Sequence, residues 1–322
     1  MGQTKIRGHR NMARNFGLGS RDMSKAAQFA LNDSVKQGAM GFKHASELAR
    51  EFKDFSAFAH ERGVKDMQYV SRDLVIQYGQ QIGDRVSNDE IKEGTAQNKI
   101  SAINSVMRIA TGGQWKSVSP RHECQIDQRS AIRETPPTGL DRSQFERGIV
   151  TLTERGAAIA ELAREFGLRT KESSLLNAHA ALRVASERGV IVVSDGTKGG
   201  RPREVPLNPQ NAERQLDVLG RAVQAQGSAR AVMPPDKNWK EWRENGLRQT
   251  RETLQKNGIE RLHDLRSAYA CERYETLTGG HLAPCLGGSA PRELDRAARL
   301  QIAQELGHGR TDITNSYLGA HT

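Results

Sequence analysis

The stretch LGHGRTDITNSYLGAH, residues 306–321, sets His308 nine positions ahead of Tyr317. The run before it, ELDRAARLQIAQEL (293–306), places Leu294, Ala297, Ala298, Ile302 and Leu306 near helical spacing, and Gly307 follows where a helix would stop. Thr311 or Asp312 is placed to cap a short second helix carrying Tyr317. A tyrosine at such a position is core or surface filler in most chains. It gains chemical meaning only if other elements supply the partners that a reactive phenol needs.

Working outward, RLHDLRSAYACERYETLTGG (261–280) predicts a helix that can bury Leu262, Leu265, Ala268, Tyr269 and Cys271, with His263 and Arg266 three apart on one face. The Gly- and Pro-rich insertion GGHLAPCLGGSAPRE separates it from the closing helices, and Pro284 with its neighbouring glycines puts His281 and Cys285 in a loop. The polar, basic stretch 235–258 predicts one helix that Trp239 and Trp242 pack onto the body. Upstream, GVIVVSDGTKGGRPREVPL reads as a β-hairpin, with Lys198 at its Gly-rich turn and Arg201 and Arg203 close by. In TERGAAIAELAREFGLRTKE, Ala158, Ile159, Leu162, Ala163 and Phe166 share a helix face that ends at Gly167, and Arg169 and Glu172 follow three apart.

The N-terminal third has another character. Residues 1–22 carry Lys5, Arg7, Arg10, Arg14 and Arg21 against Asp22 and read as a loose basic arm, able to lie along a nucleic-acid backbone. Residues 23–112 are helical by pattern. Leu48, Phe52, Phe55 and Ala59 form one stripe, with Ser46 as a cap and Gly63 as a stop. Leu74, Val75 and Tyr78 mark a second stripe, and Ile100, Ile103, Val106, Met107 and Ala110 a third. Residues 113–147 lose this periodicity and, with Arg121, Arg129, Arg133 and Arg142 among Pro120, Pro136 and Pro137, read as a basic linker. The second domain then runs over 148–322.

The chain of 322 residues bears a net charge of +10 and a pI near 9.7, a balance that suits a polyanionic partner. No apolar run is long enough to span a bilayer, and the basic N-terminus lacks the apolar core of a secretory signal. Cys124, Cys271 and Cys285, without a CxxC pair, read as reduced thiols of a cytoplasmic protein.

Arg169, Lys198, His263, Arg266, His308 and Tyr317 are the parts for phosphoryl transfer without a metal: a phenol to attack, a neighbour to take its proton, and cations for the charge growing on the phosphate oxygens. In order and spacing they resemble the tyrosine recombinases, the family of phage integrases and Xer-type resolvases. The likeness rests on FGLRTKE, GTKGG, HDLR, LGH and the terminal SY, and covers roughly residues 150–322. It implies a mainly α fold with a small β-hairpin: a helical core-binding domain followed by a mixed α+β catalytic domain. It also implies roles. Arg169 and Arg266 would clamp the scissile phosphate, and Tyr317 would attack it to give a 3′-phosphotyrosine. Lys198 would be the general acid, His263 the base and His308 a donor to the phosphate, with Glu172 bracing Arg169. Lys5, Arg7, Arg10, Arg14, Arg201 and Arg203 would add backbone contacts. Partners would be double-stranded DNA, three further copies in a tetramer and accessory DNA-bending or directionality proteins, with no cofactor, no metal and no membrane.

Two features depart from that family. Arg266 and His308 are separated by an interval lengthened by the insertion over 279–292, and five residues follow Tyr317 where many relatives have a segment docking on a neighbour. Protomers would then be tied together through another element, the insertion among them. The competing expectations are type IB topoisomerase-like relaxation of DNA, and a DNA-binding regulator without catalysis.

Overall fold

The computed structural model describes residues 13–320, which divide into two compact units, one up to Ser130 and one from Ala131. Lys5, Arg7 and Arg10 of the expected arm lie outside the described residues.

The first unit is all-helical among the described residues: α1 (Met23–Lys36), α2 (Phe42–Glu61), α3 (Arg72–Ser87), α4 (Glu93–Ala110) and α5 (Pro120–Cys124). Helices α1, α2 and α4 pack on one another, and α3 lies on α4. The inward stripe of α2 makes an aromatic cluster with α3, in which Phe55 and Phe58 meet Tyr78 edge-on with centroids 5.4 and 5.0 Å apart. Asp22 and Ser71 cap α1 and α3 by accepting from the amides of Lys25 and Leu74. Ser46 caps nothing, because α2 begins earlier, at Phe42, with Gly41 as its N-cap.

Two expectations for this region need correction. Residues 13–22 are folded, not loose: Asn15 is wholly buried, takes the amide of Met67 and gives its own amide to Asp66, both at 2.8 Å. Exposed Arg14 donates to the carbonyl of Lys65. The stretch 113–147 is likewise not a free connector. Val118, Cys124 and Ile126 complete the core of the first unit, and Asn104 holds Val118 through both its amide and its carbonyl. Short apolar insertions among polar residues gave no period from which this packing could be read.

The second unit comprises α6 (Arg142–Ile149), α7 (Glu154–Phe166), α8 (Thr170–Leu175), α9 (Ala178–Arg188), the strands β1 (Val190–Val193) and β2 (Arg203–Pro206), α10 (Ala212–Gln226), α11 (Trp239–Glu244), α12 (Gly246–Lys256), α13 (Leu262–Leu277), α14 (Arg292–Glu305) and α15 (Asn315–Leu318). Helix α7 is central, contacting α6, α8, α10, α12 and α13. The strands pair antiparallel in the register Val190 with Pro206 to Val193 with Arg203, burying Ile191, Val193 and Val205. The architecture is thus mainly α with one small hairpin, as the sequence implied.

The helix expected over 235–258 is broken between α11 and α12 at Asn245 (φ −116°, ψ −82°). Trp242 causes the break: its buried indole donates to Ser174 and lies where a side chain on residue 246 would stand, so that position accepts only glycine. The insertion is packed rather than loose, with Ala283, Cys285 and Ala290 in the core and a 3₁₀ turn over Pro284–Leu286.

Helix α14 turns a face inward that differs from the expected stripe. Leu294 and Ala297 are exposed, while Asp295 and Arg299 are buried beside Ala298, Ile302 and Ala303. The reason lies in what Arg299 holds. Its guanidinium donates to Asp295, Thr314, Asn315 and the carbonyls of Gly319 and Ala320, gripping both ends of α15. A four-residue helix cannot hold itself together, so this buried arginine supplies the seat.

Candidate active site

Two elements of the second unit meet Tyr317, which is itself 3% exposed on α15, and two more bring cations near them. Helix α13, buried on nearly every side, brings His263 and Arg266. The turn after α14 brings His308: Gly307 takes a left-handed φ of +68°, and a Cβ there would crowd the side chain of Arg203, so the chain can double back only at a glycine. The start of α8 brings Arg169, and the hairpin tip brings Lys198.

The hydroxyl of Tyr317 lies 3.3 Å from Nε of Arg266 and 3.2 Å from Nε2 of His308, while Nη2 of Arg266 lies 3.4 Å from that same Nε2. Arginine has only donors, so the phenolic oxygen accepts from Nε of Arg266, while the direction of the bond between the phenol and His308 follows the imidazole tautomer. The ring of His263 also lies near the phenol, 5.6 Å away between centroids. Arg266 is fully buried and also donates to the carbonyls of Gly167 and Leu306, which fixes the plane of its guanidinium.

Beneath this layer lies Glu172, wholly buried. It accepts from both the amide and the guanidinium of Arg169 at 2.7 Å, takes two bonds from Arg203 at 2.9 and 2.7 Å, and sits 3.7 Å from Arg266. Burial opposes its ionisation, but the Arg203 hydrogen bonds and charge, the Arg169 amide and the Arg266 charge outweigh that and hold it at about 2. Three guanidiniums against one carboxylate leave two surplus positive charges, a setting for an anion. Burial lowers Arg266 to about 10, so it stays cationic at neutral pH.

Both imidazoles respond to the same field. Burial and the charges of Arg266, Arg169, Arg203 and Lys198 push His308 down to about 4. Desolvation and the charge of Arg266 lower His263 as well, to about 4, although the residue is exposed and solvent screens that field. Both rings are therefore neutral at pH 7. Their folded values lie below the ordinary 6.5, so the stability gained by excluding those protons is complete above pH 6.5 and is lost as pH falls through 4. The urea midpoint should drop across that window, and less so in a His263→Asn, His308→Asn double variant; equal slopes would contradict the assignment.

Of the residues singled out from sequence, Arg169, His263, Arg266, His308 and Tyr317 gather here around Glu172. Lys198 is exposed on the hairpin turn, within electrostatic reach of His308. Arg201 is exposed. Arg203 is not available as a backbone contact: its side chain is 7% exposed and is spent on Glu172 and the carbonyl of Glu305. Its alternation with Val205 across the strand was the signal that it faces inward. Arg133, expected in the linker, instead ties α15 to α13, bonding Asn315, Ser316, Asp264 and Ser267. Nothing in its flanking sequence marks that role.

The helical frame that holds this buried tyrosine among arginines and histidines has the fold of a tyrosine recombinase catalytic domain. The integrase family model matches residues 148–272, so that part of the second unit is similar to the family. The fold is similar to that of three DNA-bound proteins. The XerH site-specific recombinase in a post-cleavage complex with a palindromic difH substrate aligns at TM-score 0.57 and 14% identity, over 92% of this chain and 79% of that one. The Tn1549 transposon integrase with transposon right end DNA aligns at 0.57 and 12%, over 92% and 95%. The lambda integrase tetramer on a Holliday junction aligns at 0.56 and 14%, over 89% and 76%. No curated protein matches by sequence. Among the described residues, no helix is long and apolar enough to cross a membrane.

Proposed function

We propose that the protein is a site-specific DNA recombinase that breaks and rejoins duplex DNA through a 3′-phosphotyrosyl intermediate, integrating or excising a mobile element. The observation that carries this reading is the hydroxyl of Tyr317, held between a donor, Arg266, and the imidazole of His308, beside two surplus positive charges. In this reading the scissile phosphate docks against Arg169 and Arg266, whose planar forks suit its non-bridging oxygens. Tyr317 attacks phosphorus as its proton leaves. His308 is already in hydrogen-bond range, and His263 also lies near the phenol, so the base is one of this neutral pair. The bond energy stays in the phosphotyrosine, and the free 5′-hydroxyl of a second strand reverses the reaction.

The helical first unit and the basic charge support a DNA clamp, and the tetrameric lambda integrase supports four copies acting on paired sites, in the cytoplasm and associated with the nucleoid. The test is a covalent protein–DNA adduct on a nicked duplex that prevents religation. Absence of an adduct on every bound duplex would remove the catalytic reading.

Lys198 is proposed as the general acid for the leaving 5′-oxygen. Lys198→Ala should be slow on ordinary DNA and substantially restored when that oxygen is replaced by sulfur, since a thiolate leaves without a proton. Arg266→Ala should gain no such relief, because its defect concerns the non-bridging oxygens. Equal sulfur rescue of both variants, or of neither, would take the acid role from Lys198.

A further inference from the structure

The two cysteines of the second unit stand where the tyrosine helix ends. Cys271 on α13 and Cys285 on the 3₁₀ turn of the insertion are free thiols with sulfurs 3.7 Å apart. Each also reaches the carbonyl oxygen of Tyr317, at 3.7 Å from Cys271 and 3.6 Å from Cys285. The last carbonyls of a helix have no partner within it, so this thiol pair supplies a donor for the peptide of Tyr317. The chain just beyond is as close. A Cβ on Gly319 would stand 2.8 Å from the amide nitrogen of Cys285, so the turn cannot move without pressing on the residues that follow Tyr317.

We infer that Cys271 and Cys285 form a modification site for low-molecular-weight disulfides, which oxidise the pair to an intrachain bond that unseats Tyr317 and suspends strand cleavage until a thiol reduces it. The loss of cleavage rests on the proposed role of Tyr317; formation of the bond does not. Cys285 is the more open of the two, at 7% exposure against 1%, and reacts first. The hydrogen bond with Cys271 favours thiolate on Cys285 and keeps the proton on Cys271. The Cys285 thiolate attacks one sulfur of the small disulfide and expels the other half as a thiolate, which takes up a proton. Cys271 then gives its proton to solvent and attacks the Cys285 sulfur, expelling the second half, which leaves as a thiol. The protein loses two electrons and two protons, and the disulfide becomes two thiols.

Closure shortens the gap from 3.7 Å to about 2.05 Å. The approach is shared between α13, which carries His263 and Arg266, and the turn that abuts Gly319. Neither bonded sulfur can donate a hydrogen, so the Tyr317 carbonyl loses its thiol donor. The phenol and its partners shift together, in a site where misplacement by an ångström is costly.

The experiment uses the full chain with oxidised glutathione. Non-reducing peptide mapping reads the bond, and a single-turnover adduct assay reads cleavage, on a nicked duplex selected from random-sequence DNA by its binding to this protein. The expected result is a Cys271–Cys285 peptide pair, an adduct yield lowered at least about tenfold with DNA affinity retained, and recovery in dithiothreitol. Cys285→Ser should give the same adduct level in oxidant as in reductant. Failure of the bond to form in folded protein overturns the site, and a bond that leaves the adduct yield unchanged overturns the switch. Should the reduced protein form no adduct at all, the proposed function falls, while peptide mapping still decides the disulfide.

Discussion

Tyr317→Phe should abolish the covalent adduct while DNA binding persists. The substitution keeps the ring and removes only the hydroxyl shared by Arg266 and His308. Arg266 retains the carbonyls of Gly167 and Leu306, so the fold should lose no more than about 1 kcal/mol, the net value of one hydrogen bond. Trapping on a nicked duplex is the assay, and yield should fall to background. No other tyrosine of this unit can stand in. Tyr269 is buried with its hydroxyl donated to Glu305, and Tyr274 donates to Asp295; burial and the carboxylate in each case push the phenol above its ordinary value. An adduct formed by the Phe variant would show that the nucleophile lies elsewhere.

The arginine pair provides the second large effect, and the two members should differ in kind. Arg169→Ala and Arg266→Ala should each slow cleavage by at least about a hundredfold, the range for removing one donor to developing charge. Arg266→Ala should also melt earlier. It orphans two buried carbonyls, at about 1–3 kcal/mol each, and takes a cation from the edge of Glu172. Arg169 is partly open to solvent and its guanidinium bonds only Glu172, which keeps Arg203, so its loss should leave the melting temperature nearer wild type. Lysine should rescue neither, since a point charge lacks the fork. Near-normal single-turnover cleavage in either alanine variant would refute the clamp.

The sequence exposed those parts of the molecule where chemistry repeats in short, ordered motifs. HDLR, LGH and SY marked the residues that meet at Tyr317, and the β-branched run before GTKGG marked the hairpin. What escaped was the support. Arg299 and Asp295 occupy inward positions that an apolar stripe would fill, so the periodicity of α14 pointed to Leu294, which is exposed. Arg203 looked like a surface cation because its neighbours Arg201 and Lys198 are exposed. Its partners, Glu172 and Glu305, lie 31 and 102 residues away in the chain. Its two-residue offset from Val205 marked the inward face, but partners at such separations leave no local sign of their identity. The break at Gly246 hid in the same way, since the clash that requires glycine comes from the indole of Trp242.

Among the described residues, the groups that touch the hydroxyl of Tyr317 belong to the second unit, and so does Arg299, which grips both ends of its helix. Under the proposed function, one copy of this unit therefore carries the attacking phenol together with the groups that hold it. On that reading, an assembly mixed from two inactive copies, one lacking the phenol and one lacking Arg266, should remain inert, and activity of the mixture would refute it. In a mixture with active copies, an inactive subunit should silence only the strand it holds.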